Sequence, residues 1–350
     1  MIYTKNCSYD KYNAAEQFII YKVYNMSKTL KILSRPQGNA EEYGRWAVNP
    51  YKGCSHGCLY CYLKKGVWAN GLGGSTAELK TGVVSDEHAY HLAMAEIIEH
   101  REQIIKDGGL FMTFTSDPCA PETRDLMFHI ASESMHHRIP VTLLTKSAGF
   151  FCPTMRGFAD KYKSLPDDVQ RFSYGDNVHA FLKWLSDDAQ SPEHMKRHIA
   201  FGWTLTGHDE LEPNAASNAE RIAAMREMAD HVMKTWASIE PVIDFDASFQ
   251  MVADAVEAGC RHFKIGLLTN NTRVVRKDFE FGGHKFKAYD WMECGQFIGN
   301  VMEVTQGAAT VYWKQSFVDF FGDDPIHGMT AHEFLHQWSH SVDKDWNMFK

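Results

Sequence analysis

NPYKGCSHGCLYCY, residues 49–62, places Cys54, Cys58 and Cys61 within eight residues of one another. The chain has eight cysteines in 350 residues, and the other five (Cys7, Cys119, Cys152, Cys260 and Cys294) are scattered. Scattered thiols read as small buried hydrophobes, whereas a tight cluster reads as a metal or catalytic site. A structural zinc ion is normally closed by four protein ligands. His56 lies inside the loop and offers the nearest fourth ligand, which gives a Cys₃His zinc site as one reading. Zinc sites usually pair such a loop with a second, distant ligand pair, and none follows here. The spacing Cys-x₃-Cys-x₂-Cys also suits a [4Fe–4S] cluster with three irons held by protein and one open to an outside ligand. Gly53 and Gly57 would let the loop wrap tightly around a bulky group.

Outward from this loop the chain alternates apolar runs with amphipathic stretches. Strands are expected at Trp46–Tyr51, Leu110–Thr115, Pro140–Thr145, His198–Thr206, Thr235–Ile243, Arg261–Leu268 and Ala309–Ser316. Helices are expected at Asp86–Lys106, Glu122–His137, Ser217–Lys234, Asp246–Ala258 and Trp291–Thr305. The first repeats Ala89, Leu92, Ala93, Ile97, Ile98 and Ile104 at three- and four-residue steps. Ser217 with Glu220 forms a capping-box pattern, and Gly259 is a common helix stop. Residues 160–197 are polar, carry Pro166 and Pro192, and read as an insertion. The first 43 residues read as an N-terminal extension, and 317–350 as a C-terminal helical segment.

Strand and helix in alternation predict an α/β fold with a parallel sheet. No G-x-G-x-x-G follows the first strand, which weakens a dinucleotide fold. Polar residues gather where strands stop: the cysteine loop, Ser116 and Asp117, Lys146, Thr204 and Thr206, Glu240, Lys264, and Lys314 with Gln315. In a β/α barrel the strand C-termini carry the site.

A net charge of −8 argues against a uniformly basic nucleic-acid coat but leaves room for a local basic groove. No apolar run reaches the ~18 residues of a membrane span. No secretion signal is visible, so a cytoplasmic protein is expected. Arg273, Arg276, Lys277, Lys285 and Lys287 lie among Phe279, Phe281, Phe286 and Tyr289. That mixture would either grip phosphates and stack bases or form a solvated hairpin with an apolar side. His136 and His137 read as helix surface.

The cysteine loop resembles the signature of the radical S-adenosylmethionine (SAM) superfamily, and the fuller string resembles its spore photoproduct lyase-like branch. TSDPCAPET (115–123), IPVTLLTKS (139–147), LEPNAASNAERI (211–222), Glu240-Pro241 and VYWKQ (311–315) extend the likeness. The last two also resemble a phage-associated three-cysteine family. The resemblance implies a partial (β/α)6 TIM-type barrel over 44–316. At its mouth would sit a [4Fe–4S] cluster on Cys54, Cys58 and Cys61, with SAM on the open iron. Cofactor contacts are implied for Ser116, Asp117, Lys146, Thr204, Thr206 and Glu240. Tyr60 and Tyr62 take the positions of radical-passing tyrosines. The branch's hydrogen-returning cysteine has no counterpart here, because Thr115 stands before Ser116; Cys119 is the nearest substitute.

The expected activity is reductive cleavage of SAM to a 5′-deoxyadenosyl radical that takes hydrogen from a substrate. A flavodoxin- or ferredoxin-type protein would supply the electron. The expected substrate is DNA, RNA or a nucleotide, for a lyase, repair-like or modifying reaction. The alternatives are a small-molecule or peptide substrate, and a non-catalytic zinc- or cluster-bearing module of a DNA-processing or phage-defence complex.

Overall fold

The computed structural model describes residues 30–66, 69–148, 198–230, 233–270, 273–323 and 325–349. The expected insertion at 160–197 therefore lies outside the described residues, as do Cys7 and Cys152.

One sheet organises the chain, in the order β1 (Leu33–Ser34), β2 (Ala47–Val48), β5 (Leu110–Met112), β6 (Val141–Thr145), β7 (Ile199–Thr204), β8 (Lys234–Val242), β9 (His262–Leu267) and β14 (Thr310–Trp313). β1 runs antiparallel to β2, and every other pairing is parallel. Seven of the eight strands are thus parallel, and each falls within one of the seven strand runs expected from the sequence or overlaps it. Helices at Asp86–Glu99, Arg124–His136, Asn218–Asp230, Phe245–Glu257 and Trp291–Thr305 lie between successive parallel strands. All six residues of β7 are buried, as in strands covered on both faces. Among the described residues β14 does not pair back to β1 or β2, so the barrel is partial.

Three boundaries differ from the pattern reading. The run 46–51 is split: Pro50 has no N–H for a ladder, and Tyr51–Lys52 (β3) leaves the sheet to pair with Glu78–Leu79 (β4). The helix from Asp86 breaks at His100, whose imidazole stacks on Trp46 at 5.1 Å; Arg101–Lys106 continues as a separate helix. The strand from Leu110 stops at Met112 because Thr113 turns to φ 63°. Asn49 holds that turn, accepting from the Phe114 N–H at 2.7 Å and the Thr113 hydroxyl at 3.2 Å.

The main core lies between sheet and helices, and a second cluster fills the barrel interior: Ala47, Phe111, Ala200 and Trp236, with Tyr43, Leu144, Met348 and Phe349 against them. Over its described residues, the expected N-terminal extension is part of this barrel. Leu33–Ser34 is a sheet strand, and Glu42 and Tyr43 reach inside. The Glu42 carboxylate accepts from Tyr312 at 2.8 Å and from the Gln315 N–H at 2.7 Å. The Tyr43 hydroxyl meets Ser238 at 2.6 Å and donates to Glu240.

Gly202 makes the interior packing possible, since a Cβ there would come within 2.2 Å of the Trp236 ring. Gly202→Ala is expected to lower unfolding free energy by about 1–3 kcal/mol through overpacking. Urea denaturation reads the loss, and an unchanged midpoint would mean that Trp236 has another place to go.

Candidate active site

The cysteine loop leaves β3 and returns at β4, so the β3–β4 pairing pins its two ends. Gly53 sits at φ 81° where its backbone crosses the returning strand; a Cβ would meet the Thr76 carbonyl oxygen at 2.3 Å. The Cys54 N–H donates to Gly74 at 3.2 Å across the same crossing. Gly53→Ala is expected to open this crossing and reduce metal uptake by the loop, measured as iron or zinc per chain. Wild-type uptake would show that the crossing is not needed.

All three cysteines are free thiols lining one small cavity, together with Gly57, Leu63, Leu72 and Gly73. Cys58 is buried, and Cys54 and Cys61 are half-buried. Burial, with Asp117 adding to it, pushes the Cys54 thiol up to about 12, and burial also raises Cys58. The bare loop therefore holds protons that metal binding must displace.

His56 does not line that cavity. Its Nε2 lies 2.9 Å from the Asp117 carboxylate, and its Nδ1 faces the Asn214 carbonyl at 3.4 Å. Both ring nitrogens are thus engaged by the protein, and the fourth zinc ligand suggested by the spacing is withdrawn. Asp117 is equally occupied. It accepts from the Cys119 N–H at 2.8 Å, the Thr145 hydroxyl at 2.7 Å and the Lys146 N–H at 2.8 Å. Burial alone would raise its pKa, but His56 and these donors hold it down to about 2. Asp117 therefore ties the cysteine loop to the ends of β5 and β6, and is not free for a cofactor.

A second buried network holds the other side of the loop. The Tyr60 hydroxyl donates to Glu212, whose second oxygen accepts from Arg221. Glu212 and Arg221 side chains are fully buried. Arg221 also donates to the carbonyls of Thr204 and Ala216, each at 2.8 Å. Lys146 reaches into this group, 3.9 Å from Glu212 and 5.5 Å from the centre of the Tyr60 ring. Burial would lower its pKa, but Cys58 and Glu212 outweigh that and keep it charged. Glu212 and Arg221 were visible only as part of the 211–222 segment; nothing in its pattern marks them as a buried pair.

The remaining candidates separate. The Ser116 hydroxyl, past the end of β5, is buried without a hydrogen-bond partner among the described residues. Tyr62 is 57% exposed and donates across the mouth to the Phe114 carbonyl. Cys119 is 1% exposed and packed in the main core, so it is not open to a substrate. Thr206 is fully buried, its hydroxyl oxygen accepting from the His208 N–H at 3.3 Å. Thr204 is buried beside it. Glu240 points into the barrel, where Lys314 meets it at 2.6 Å. Thr206 and Glu240 are thus claimed by internal contacts.

Over the described residues of this segment lie two small antiparallel pairs, Thr269–Asn270 (β10) with Arg273–Val274 (β11), and Phe279–Phe281 (β12) with His284–Phe286 (β13). Phe279, Phe281 and Phe286 pack against Cys58, Tyr60, Leu211 and Ile243. Those aromatics shield the cysteine loop and are not available to stack bases. Arg276 is likewise used, donating to the carbonyls of Asp319 and Phe320. Lys277 and Lys285 stay exposed.

An eight-stranded, mostly parallel partial barrel with a cysteine loop after its first parallel strand can be compared with known structures. A cysteine-to-alanine variant of spore photoproduct lyase superposes with a TM-score of 0.50 at 13% identity, over 82% of this chain and 80% of that one. The chain has the spore photoproduct lyase fold. The lyase complexed with dinucleoside spore photoproduct gives 0.49 at 13% identity, over 82% and 80%. SuiB of Streptococcus suis bound to S-adenosylmethionine gives 0.45 at 11% identity, over 85% of this chain and 57% of that one. No protein-family model and no curated protein sequence matches the chain.

Proposed function

We propose that the protein is a radical SAM enzyme. Cys54, Cys58 and Cys61 would hold a [4Fe–4S] cluster with one open iron. The observation that carries this reading is the withdrawal of His56: three thiols share a cavity, and the nearest fourth donor is held elsewhere. The Ser116 hydroxyl, without a partner among the described residues, and the charged Lys146 stand at adjacent strand ends, where an amine and a carboxylate of SAM need partners. When bound, the cluster and SAM supply reductive cleavage to methionine and a 5′-deoxyadenosyl radical, which takes a hydrogen atom from the substrate.

The chain's own part is to hold, orient and shield. Lys146 offsets thiolate charge at Cys58. The Asp117–His56 pair and the Glu212–Arg221 pair fix the loop from two sides. The β12–β13 aromatics exclude water from Cys58 and Tyr60. A flavodoxin- or ferredoxin-type protein would donate the electron. For the substrate we favour a nucleic acid or nucleotide, with exposed Lys277 and Lys285 as its phosphate contacts beside the loop.

Anaerobic reconstitution with iron and sulfide, followed by dithionite and SAM, tests the reading. About four irons per chain and formation of 5′-deoxyadenosine are expected. Zinc that is lost in Cys58→Ala, with no iron uptake and no deoxyadenosine, would make the loop a structural clip. DNA binding that weakens steeply with salt would support the substrate class, and salt-independent or absent binding would remove it.

A further inference from the structure

We propose that His332, His336 and Asp343 form a second metal site, for a zinc-type divalent ion, that fastens the C-terminal tail to the barrel. His332 and His336 lie four residues apart on the helix Ala331–His336, so they share a face. Their ring centres are 4.4 Å apart. The helix start is fixed by a capping box: the Glu333 carboxylate accepts from the Thr330 N–H at 2.8 Å, and its N–H donates to the Thr330 hydroxyl at 3.2 Å. Asp343 approaches from the tail, with its Oδ1 3.7 Å from His332 Nε2 and 3.8 Å from His336 Nε2. The three ligand atoms all lie within 4.8 Å of one another.

Two imidazoles and one carboxylate suit zinc. A tetrahedral zinc with bonds of about 2.0–2.1 Å sets its ligand atoms about 3.3 Å apart. The two histidine–aspartate separations therefore need to close by about half an ångström, and the histidine–histidine pair, within 4.8 Å, by at most about 1.5 Å, a rotamer adjustment at this surface. Side-chain exposures of 62% for His332 and 73% for Asp343 leave an ion open to water, which would complete its coordination. The spacing His332-Glu333-x-x-His336 is also that of zinc hydrolases, in which the glutamate is the general base. Here the Glu333 carboxylate is taken by Thr330, so the geometry points to a structural ion.

What the ion would fasten follows from the tail's path. Ser341 bridges to Val311, and the Val342 N–H donates to the Val311 carbonyl at 2.9 Å. Beyond Asp343, Asp345 pairs with Arg45, Trp346 stacks on His262 at 4.5 Å, and Met348 and Phe349 pack into the barrel interior. This stretch walls a cavity of about 300 Å³ that also touches Glu42, Lys264 and the start of β5. Holding Asp343 in place holds that wall.

The test uses full-length protein after iron–sulfide reconstitution, dialysed against Zn²⁺. Wild type is expected to retain one zinc per chain that His332→Ala, His336→Ala and Asp343→Asn each lose. Zinc content equal in wild type and in all three variants overturns the site. Any zinc held by the cysteine loop is common to all four proteins, so the comparison stands whether or not a cluster forms. Zinc is also expected to slow amide exchange over residues 341–349 in wild type but not in His332→Ala. Unchanged exchange would overturn the fastening role. His332 is largely exposed, so its truncation leaves the core untouched.

Discussion

Cys58→Ala protein is expected to fold, to take up little or no iron, and to form no 5′-deoxyadenosine above background. Cys58 is the most buried of the three thiols, and its neighbours Tyr60, Leu211 and Ile243 form a small apolar cluster of their own. Replacing a thiol with a methyl there removes one atom from a packed wall, a modest change in stability. The chemical change is far larger. Groups that merely orient metal ligands are worth about 10- to 100-fold in affinity or activity, so loss of a ligand itself should exceed that range. Iron content, circular dichroism and deoxyadenosine yield on one preparation separate the outcomes. A folded variant with wild-type deoxyadenosine yield would refute the assignment of Cys58 as a cluster ligand. Cys119→Ala is the internal control: its thiol is closed inside the main core, so deoxyadenosine formation should persist.

The second large effect concerns stability. Arg221→Ala is expected to cost about 3–5 kcal/mol, because it leaves the buried Glu212 carboxylate with only the Tyr60 hydroxyl and the more distant Lys146 to offset it. Arg221 and Glu212 side chains are both fully buried, and Arg221 also serves two backbone carbonyls. Its loss would take a donor from three acceptors at once, so it should also loosen Tyr60 and the cysteine loop. The paired substitution Arg221→Met with Glu212→Gln removes both charges and should recover part of the loss. Urea denaturation of wild type, Arg221→Met, Glu212→Gln and the double variant gives the coupling directly. A single-variant loss under about 1 kcal/mol would mean that water reaches Glu212 when Arg221 is gone.

Much of this arrangement was legible in the sequence, for identifiable reasons. Strands such as β7 and β9 announce themselves as short apolar runs because both of their faces are covered, and Trp291–Thr305 matches its amphipathic pattern residue for residue. That the loop cysteines would gather in one cavity was legible because it depends on spacing, which is local. What stayed hidden depends on partners far along the chain. Nothing near Asp117 shows that it will receive His56, and nothing near Glu240 shows that Lys314 will occupy it. Strand-end polar residues therefore looked uniformly available, when Asp117, Thr206 and Glu240 are claimed by the fold. The aromatics at 279–286 show the same ambiguity, since a packing face and a stacking face have one composition. The pair at His332 and His336 was missed in the sequence although its four-residue spacing is local, and the third donor arrives only through the path of the tail.

That path bears on how the chain can fold. The barrel interior is built by residues from opposite ends: Tyr43 and Phe349 pack in one cluster, and Arg45 meets Asp345 across 300 positions. Contacts this far apart in sequence make for slow assembly, because long loops must close before they are rewarded. During synthesis the floor stays unfinished until residues 345–349 have left the ribosome. Until then Phe111, Trp236 and their neighbours are open on that side, and an incomplete chain exposes the surface on which aggregation starts.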